Sequence, residues 1–135
     1  MQRQGIESES VPRFQVDGKT VDYSNAVDVR AAGRLVFFSG QNAFDESGNV
    51  VGVGDIDAQV RQTLENLKKL VTEAGATMDD IVKVTAWITR REYVSAYVRI
   101  RKEYFSERFP ASSTVVCDLV QDDLLIEVEA IAALD

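Results

Sequence analysis

The sequence predicts a single α+β domain, residues 1–135, in which two helices pack on one face of a mixed sheet. The predicted elements follow the order strands, helix, strand, helix, strand, strand. Two segments repeat apolar residues at spacings of three and four, which is typical of amphipathic helices. The last strand has apolar residues on both of its faces, so both sides of the sheet need a cover.

The first third of the chain is predicted to be mostly extended. Residues 1–12 are polar and are expected to be flexible. A short strand is predicted at 13–16, before the turn signature at 17–19. Segments 26–31 and 34–39 are predicted to form a hairpin, and the apolar run at 35–38 predicts a strand buried on both faces.

The clearest helix is predicted over 55–74. Asp55 or Asp57 can cap its start, and Gly75 can take the left-handed conformation after its end. A second helix is predicted over 92–107. Its apolar stripe consists of Tyr93, Ala96, Tyr97, Ile100 and Tyr104.

The remaining strands are predicted over 81–89, 113–119 and 124–134. Two helices can cover only one side of the resulting sheet. The uncovered side combines apolar with polar residues: Phe37 or Phe38, Thr85, Trp87, Leu125, Glu127, Glu129 and Ile131.

Glu127 and Glu129 are predicted to lie on this uncovered face, roughly 7 Å apart at the rise of a β-strand. They are either two carboxylates on a solvated face or the acidic lining of a cleft. We favour the cleft, because Leu125 and Ile131 lie beside them. A monomer rarely exposes such an apolar patch, so a second copy of the chain is the expected cover and a homo-oligomer is predicted. The alternative is that N-terminal loops cover the face.

The composition excludes several classes of function. The chain has no histidine and a single cysteine, which excludes Ser-His-Asp and Cys-His catalysis, the usual zinc sites and an internal disulfide. A site for Mg²⁺ made of carboxylates alone remains possible in principle, but no calcium-loop pattern supports it, so no metal site is predicted. The net charge of −7 disfavours binding to nucleic acid. The basic residues of the second helix, Arg101 among them, are expected to form its solvated face.

No apolar run is long enough to span a membrane, and the first ten residues lack the apolar core of a signal peptide. A cytoplasmic location without membrane association is therefore expected.

Five segments in order resemble the reactive-intermediate deaminase family, also called Rid or YjgF. They are YSNAV (23–27), LVFFSGQ (35–41), the long segment 57–89, FPASSTV (109–115) and IEVEAIA (126–132). The resemblance implies a chorismate-mutase-like fold, a homotrimer with small-molecule sites between subunits, and cofactor-free hydrolysis of enamines and imines such as 2-aminoacrylate.

The resemblance also implies functional positions. Glu127 matches the acid that positions water, with Glu129 as a possible second carboxylate. The implied substrate-binding residues are Tyr23, Ser39, Gly40, Trp87, Ser112, Ser113 and Thr114.

Two positions depart from the pattern of the deaminating branch. Its carboxylate-binding arginine is replaced here by Ser112, and a frequent asparagine is replaced by Val98. A serine hydroxyl cannot replace a bidentate cation, so inefficient turnover of 2-aminoacrylate is expected.

Two functions of different classes remain open. The first is deamination of another enamine or imine, either uncharged or larger, with a remote anion that reaches Arg90, Arg91 or Arg108. The second is a trimeric protein that binds a metabolite without turnover. An endoribonuclease or translation inhibitor is the least favoured alternative, because the chain is acidic.

Overall fold

The computed structural model describes all 135 residues and contains eight strands and two α-helices. In chain order these are β1 (Gln2–Ile6), β2 (Gln15–Val16), β3 (Lys19–Thr20), β4 (Ala26–Arg30), β5 (Arg34–Gln41), α1 (Ile56–Glu73), β6 (Ile81–Ile88), α2 (Val94–Arg101), β7 (Ala111–Val116) and β8 (Ile126–Leu134).

The centre of the molecule is a four-stranded mixed sheet in the order β5-β8-β6-β7. Only β6 and β7 are parallel, and α2 lies in the crossover between them. Both helices pack on the same side of this sheet, which we call the closed face. The core there joins residues of α1, α2 and the strands, among them Leu64, Tyr97, Val84, Val128 and Ala130. The predicted α+β class is therefore confirmed.

Helix α1 forms as the sequence predicts. The Asp55 side chain accepts a hydrogen bond from the Ala58 amide at 3.1 Å and caps the start of the helix. After the helix, Gly75 has φ +78°, a conformation that costs a glycine little.

The predicted hairpin is wrong, although both of its strands exist. β4 pairs with β1, whereas β5 pairs with β8 in the central sheet. Residues 2–6, which the sequence analysis expects to be flexible, form β1 and give β4 its partner. Most residues of β1 are polar, and the strand also contains a glycine, so it gives no strand signal of its own and the pairing could not be seen in the sequence.

Helix α2 is shorter than predicted. A 3-10 turn at Arg91–Tyr93 precedes it, and it ends at Arg101. Beyond this point the chain tightens, because the Tyr104 amide donates to the Arg101 carbonyl at 3.0 Å. This turn directs Phe105 into the core, where it is 2% exposed.

The side of the sheet opposite the helices, which we call the open face, has no cover in one chain. Phe37 is 71% exposed and Leu35 is 56% exposed, while the intervening side of β5 places Phe38 in the core. The prediction that this strand is buried on both faces is therefore wrong for the single chain. Neither helix combines the length and the apolar content that are needed to cross a bilayer.

Candidate active site

A pocket of about 180 Å³ opens between α2, β7 and the N-terminal segment. Three of the predicted substrate-binding residues, Tyr23, Ser112 and Thr114, lie in its wall. Strand pairing explains why two of them share this side: Ser112 is paired with Val84 and Thr114 with Ala86, both of which face the helices. The complete lining is Phe14, Val21, Tyr23, Val94, Val98, Arg101, Ser112 and Thr114.

Tyr23 is held by the segment that precedes it. The Phe14 amide donates to the Tyr23 hydroxyl oxygen at 3.0 Å, so the hydroxyl proton remains free to be donated elsewhere. The Arg13 guanidinium lies 4.4 Å from the centroid of the Tyr23 ring and donates to the Val21 carbonyl at 3.2 Å. The phenol is therefore a positioned hydrogen-bond donor at the pocket.

Arg101 is the residue that the sequence analysis missed. It was expected on the solvated face of the second helix, whereas it is only 3% exposed. Its Nη1 donates to Ser112 Oγ at 2.9 Å, and its guanidinium lies 5.4 Å from the Tyr97 ring centroid and 5.5 Å from that of Phe105. A cation is thus present beside the serine that replaces the arginine of the family pattern.

A signal for the burial of Arg101 exists in the sequence. It follows Tyr97 by four residues and precedes Tyr104 by three, so it belongs to the apolar stripe of the helix.

Burial raises the pKa of the Tyr97 phenol, although the nearby Arg101 charge acts in the opposite direction. The phenol is consequently neutral near pH 7.

The other predicted residues lie on the open face. Strand register aligns Glu127 with Trp87 and Val115 in one row across three strands, and Glu129 with Thr85 and Ser113 in the next row. Lys83 Nζ donates to Ser113 Oγ at 2.9 Å on this side. Trp87, Ser113, Glu127 and Glu129 therefore share a face with each other and not with the pocket.

Gly40 is fitted closely to Glu127. A Cβ atom at position 40 would lie 2.4 Å from Glu127 Oε2, so any side chain there would force the carboxylate to move. The Glu127 carboxylate thus packs directly against the Gly40 backbone. The neighbouring Ser39 is exposed. Close approach, and not backbone conformation, is therefore what favours glycine at position 40.

Buried amides fix the start of β8, the strand that contains Glu127. Gln59 is fully buried, accepts from the Leu125 amide at 2.8 Å and donates to the Asp123 carbonyl at 2.8 Å. Asn42 Nδ2 donates to the Ile126 carbonyl at 3.0 Å. Each buried polar group is satisfied by these bonds, so the backbone around Glu127 is held rigidly.

The predicted site residues therefore form two sets in one chain. Tyr23, Ser112 and Thr114 surround the pocket on the closed face, whereas Gly40 and Glu127 belong to the open side with Trp87, Ser113 and Glu129. A single cleft that contains all of them does not exist within the chain. No group of three or more Cys, Asp or Glu side chains is close enough together to hold a metal ion.

Comparisons with known proteins agree with this architecture. The family model described as endoribonuclease L-PSP matches residues 18–134. A RutC family protein of Pyrococcus abyssi is 39% identical over 111 residues, which are 82% of this chain and 84% of the relative. A RutC family protein of Pyrococcus horikoshii is 36% identical over 110 residues, with 82% and 85% of the two chains covered.

Solved structures give the same result. A Rid-family protein of unknown function from Yersinia pestis superposes with a TM-score of 0.82 and 31% identity, with 99% of this chain and 100% of that chain covered. A protein described as a putative endoribonuclease of Thermotoga maritima superposes with a TM-score of 0.71 and 32% identity, over 100% and 99% of the two chains. The chain therefore belongs to the endoribonuclease L-PSP family, the YjgF/Rid family that its motifs resemble.

Proposed function

We propose that this protein is a homotrimeric, cofactor-free enamine or imine deaminase whose sites form between neighbouring subunits. The observation that supports this most directly is the separation of the two residue sets. The pocket holds the substrate-binding hydroxyls but no acid, and the acid lies on an apolar face that one chain leaves exposed. In the proposed trimer, the open face of each subunit packs against a neighbouring subunit. Glu127 of one subunit then lies at the mouth of the pocket of the next.

The proposed reaction is hydrolysis of a carbon–nitrogen double bond. An enamine first tautomerises to the imine. Glu127 accepts a proton from water as the water oxygen bonds to the imine carbon, and it then returns that proton to the nitrogen. Glu127 next accepts the proton of the added hydroxyl group and passes it to the amino group, so the carbon–nitrogen bond breaks as the carbonyl forms and ammonia leaves.

The pocket residues would orient the substrate in this reaction. Tyr23 and Ser112 each have a hydroxyl proton to donate, because each hydroxyl oxygen already accepts a hydrogen bond from the protein. Thr114 adds a third hydroxyl to the same wall. Donors that are fixed before the substrate arrives lower the cost of organising the transition state.

The direct test measures ammonia release from freshly generated imines with different side chains. Glu127→Gln keeps the size of the side chain but cannot accept a proton, so turnover should fall about 100-fold or more. Glu73→Gln, an exposed acid at the end of α1 and outside both residue sets, is the matched control and should retain most of the activity. Equal rates for wild type and Glu127→Gln would refute the role of Glu127.

A mixing experiment tests whether the site is composite. Val98→Trp would fill the pocket, and Glu127→Gln would remove the acid, so each variant alone should be inactive. Trimers refolded from an equal mixture should regain about a quarter of wild-type turnover, because one site in four then combines an intact pocket with an intact acid. No recovery would mean that pocket and acid do not meet between subunits.

The competing function is a trimeric protein that binds a metabolite without turnover. Silence across the imine panel, combined with saturable binding at the pocket, would favour it. Endoribonuclease activity, which the names of the family and of the Thermotoga maritima relative suggest, is less compatible with a net charge of −7.

A further inference from the structure

Arg101 forms no salt bridge within the chain. The residue is 3% exposed, yet none of the five salt bridges in the structure involves it. A buried charge is costly unless a group of opposite charge or a full set of hydrogen bonds compensates it. Folded proteins therefore seldom bury an arginine in this way without a reason.

The hydrogen-bond partners of Arg101 are neutral and few. Ser112 Oγ accepts at 2.9 Å, while the Tyr97 hydroxyl and the Asp22 carbonyl accept at 3.5 Å, the limit for such a bond. A guanidinium has five N–H donors, so part of its capacity is unused. Tyr97 cannot supply the missing negative charge, because burial keeps its phenol protonated.

The unused capacity belongs to a residue in the wall of the pocket. We propose that Arg101 is the anion anchor of this pocket and that its ligand is a small carboxylate with one negative charge and an apolar side chain. This inference rests on the proposed function, because it names the substrate class of the same site. The anchor extends from α2, and not from position 112 of β7 as the family pattern would have it.

Ser112 gains a defined role from this arrangement. Its oxygen accepts from Arg101, which leaves its proton available to the same carboxylate. Ser112 is thus a positioning residue for the guanidinium and a second donor to the anion. The expected inefficiency toward small 2-imino acids, which was inferred from the absence of arginine at this position, loses its basis.

The remaining walls select the rest of the ligand. Phe14, Val21, Val94 and Val98 are apolar, and Arg101 is the only charged residue in the lining. A phosphate or a dicarboxylate would bring a second charge that has no partner in this pocket. A short aliphatic chain would fit these walls.

The test is a calorimetric titration with 2-oxobutyrate and with its uncharged amide, 2-oxobutanamide. Wild type should bind the acid about tenfold or more tightly than the amide. Arg101→Met, which keeps length but removes charge, should lose this preference. Arg99→Met, an exposed arginine on the same helix, is the control and should keep it. Equal binding of acid and amide by wild type would overturn the proposal.

Stability distinguishes an anchor from a structural arginine. Because the buried charge is unpaired, Arg101→Met should be as stable as wild type or more stable. Addition of 2-oxobutyrate should raise the Tm of wild type and of Arg99→Met but not that of Arg101→Met. An Arg101→Met protein that unfolds far more easily, together with a Ser112→Ala protein that binds the acid as tightly as wild type, would assign Arg101 to the core alone.

These measurements separate this proposal from the deaminase proposal, since binding needs no turnover. Acid-selective binding that Arg101→Met abolishes supports the anchor even if no imine is hydrolysed, in which case only the deaminase proposal fails. Hydrolysis of imines at equal rates by wild type and Arg101→Met would instead remove the anchor and leave the deaminase proposal intact.

Discussion

The same strands form both faces of the central sheet, but only the closed face is buried within one chain. On the closed face, Ile126, Val128 and Ala130 of β8 are at most 2% exposed beneath the helices. On the open face, Phe37 of β5 is 71% exposed although it pairs with Ile131 of the same β8. The closed face stabilises the single chain, whereas the open face combines an apolar surface with Glu127. Folding of the chain thus depends on the closed face, whereas the proposed assembly and the placement of the proposed acid depend on the open face.

Among the substitutions that test the difference between the two faces, Phe37→Asp is expected to have the largest effect. A charge in the exposed apolar part of the open face should prevent association, so light scattering should give the mass of one subunit, with ammonia release near background. Val120→Asp is the matched control, because Val120 is 96% exposed and lies outside the strands. A wild-type protein that is already monomeric at micromolar concentration would refute the proposed assembly.

A pair of leucines compares the two faces directly. Leu64→Ala on the closed face, where the side chain is fully buried, should lower the free energy of unfolding by about 3 kcal/mol. Leu35→Ala on the open face should cost the isolated chain little and should act through a weaker, concentration-dependent assembly. Chemical denaturation at two protein concentrations measures both effects. Equal, concentration-independent losses would remove the distinction between the faces.

Gly40→Ala tests whether turnover depends on the position of the Glu127 carboxylate. The added methyl group must displace the Glu127 carboxylate, and because that group is the end of a flexible side chain, stability should change little. Turnover should nevertheless fall about tenfold or more, since the acid leaves its position. Gly48→Ala is unsuitable as a control because its φ is +82°, so Ser47→Ala, in an exposed turn outside both residue sets, serves instead. Unchanged turnover would argue against a fixed Glu127.

The smallest expected effect is a loss of stability at high pH, through Tyr104 on the closed side. Burial raises the pKa of Tyr104 to about 12, and its hydroxyl donates to Glu65 at 2.8 Å. The pKa is raised in the folded state, so the associated stability is present below about pH 10 and is lost as the pH rises through about 12. Tyr104→Phe should reduce this loss. Unfolding measured across that range checks it, with Tyr93→Phe for comparison.

The parts of the fold that sequence predicts are those specified by local patterns. The cap at Asp55, the glycine at 75 and the alternation along β8 each act within a few residues, and the structure contains all three. The pairing of β1 with β4 depends instead on long-range contacts between strands with weak individual signals, so the hairpin prediction chose the nearer partner.

The candidate site, like the fold, could be predicted only where local patterns specify it. Alternation was sufficient to place Glu127 and Glu129 on one face, and the family motifs selected Tyr23, Ser112 and Thr114 as candidates, which the structure brings together around one pocket. That these two sets lie on opposite faces follows from the parallel register of β6 and β7, which no local pattern specifies. Arg101 was missed because charge outweighed its position in the apolar stripe.

The crossover from β6 to β7 has a consequence for protein engineering. One continuous segment, residues 81–116, provides Val94, Val98, Arg101, Ser112 and Thr114, which are most of the pocket wall. Gly40 and Glu127 lie outside it. Transplanting this segment between relatives should therefore transfer ligand preference as a cassette, while the recipient keeps its own acid.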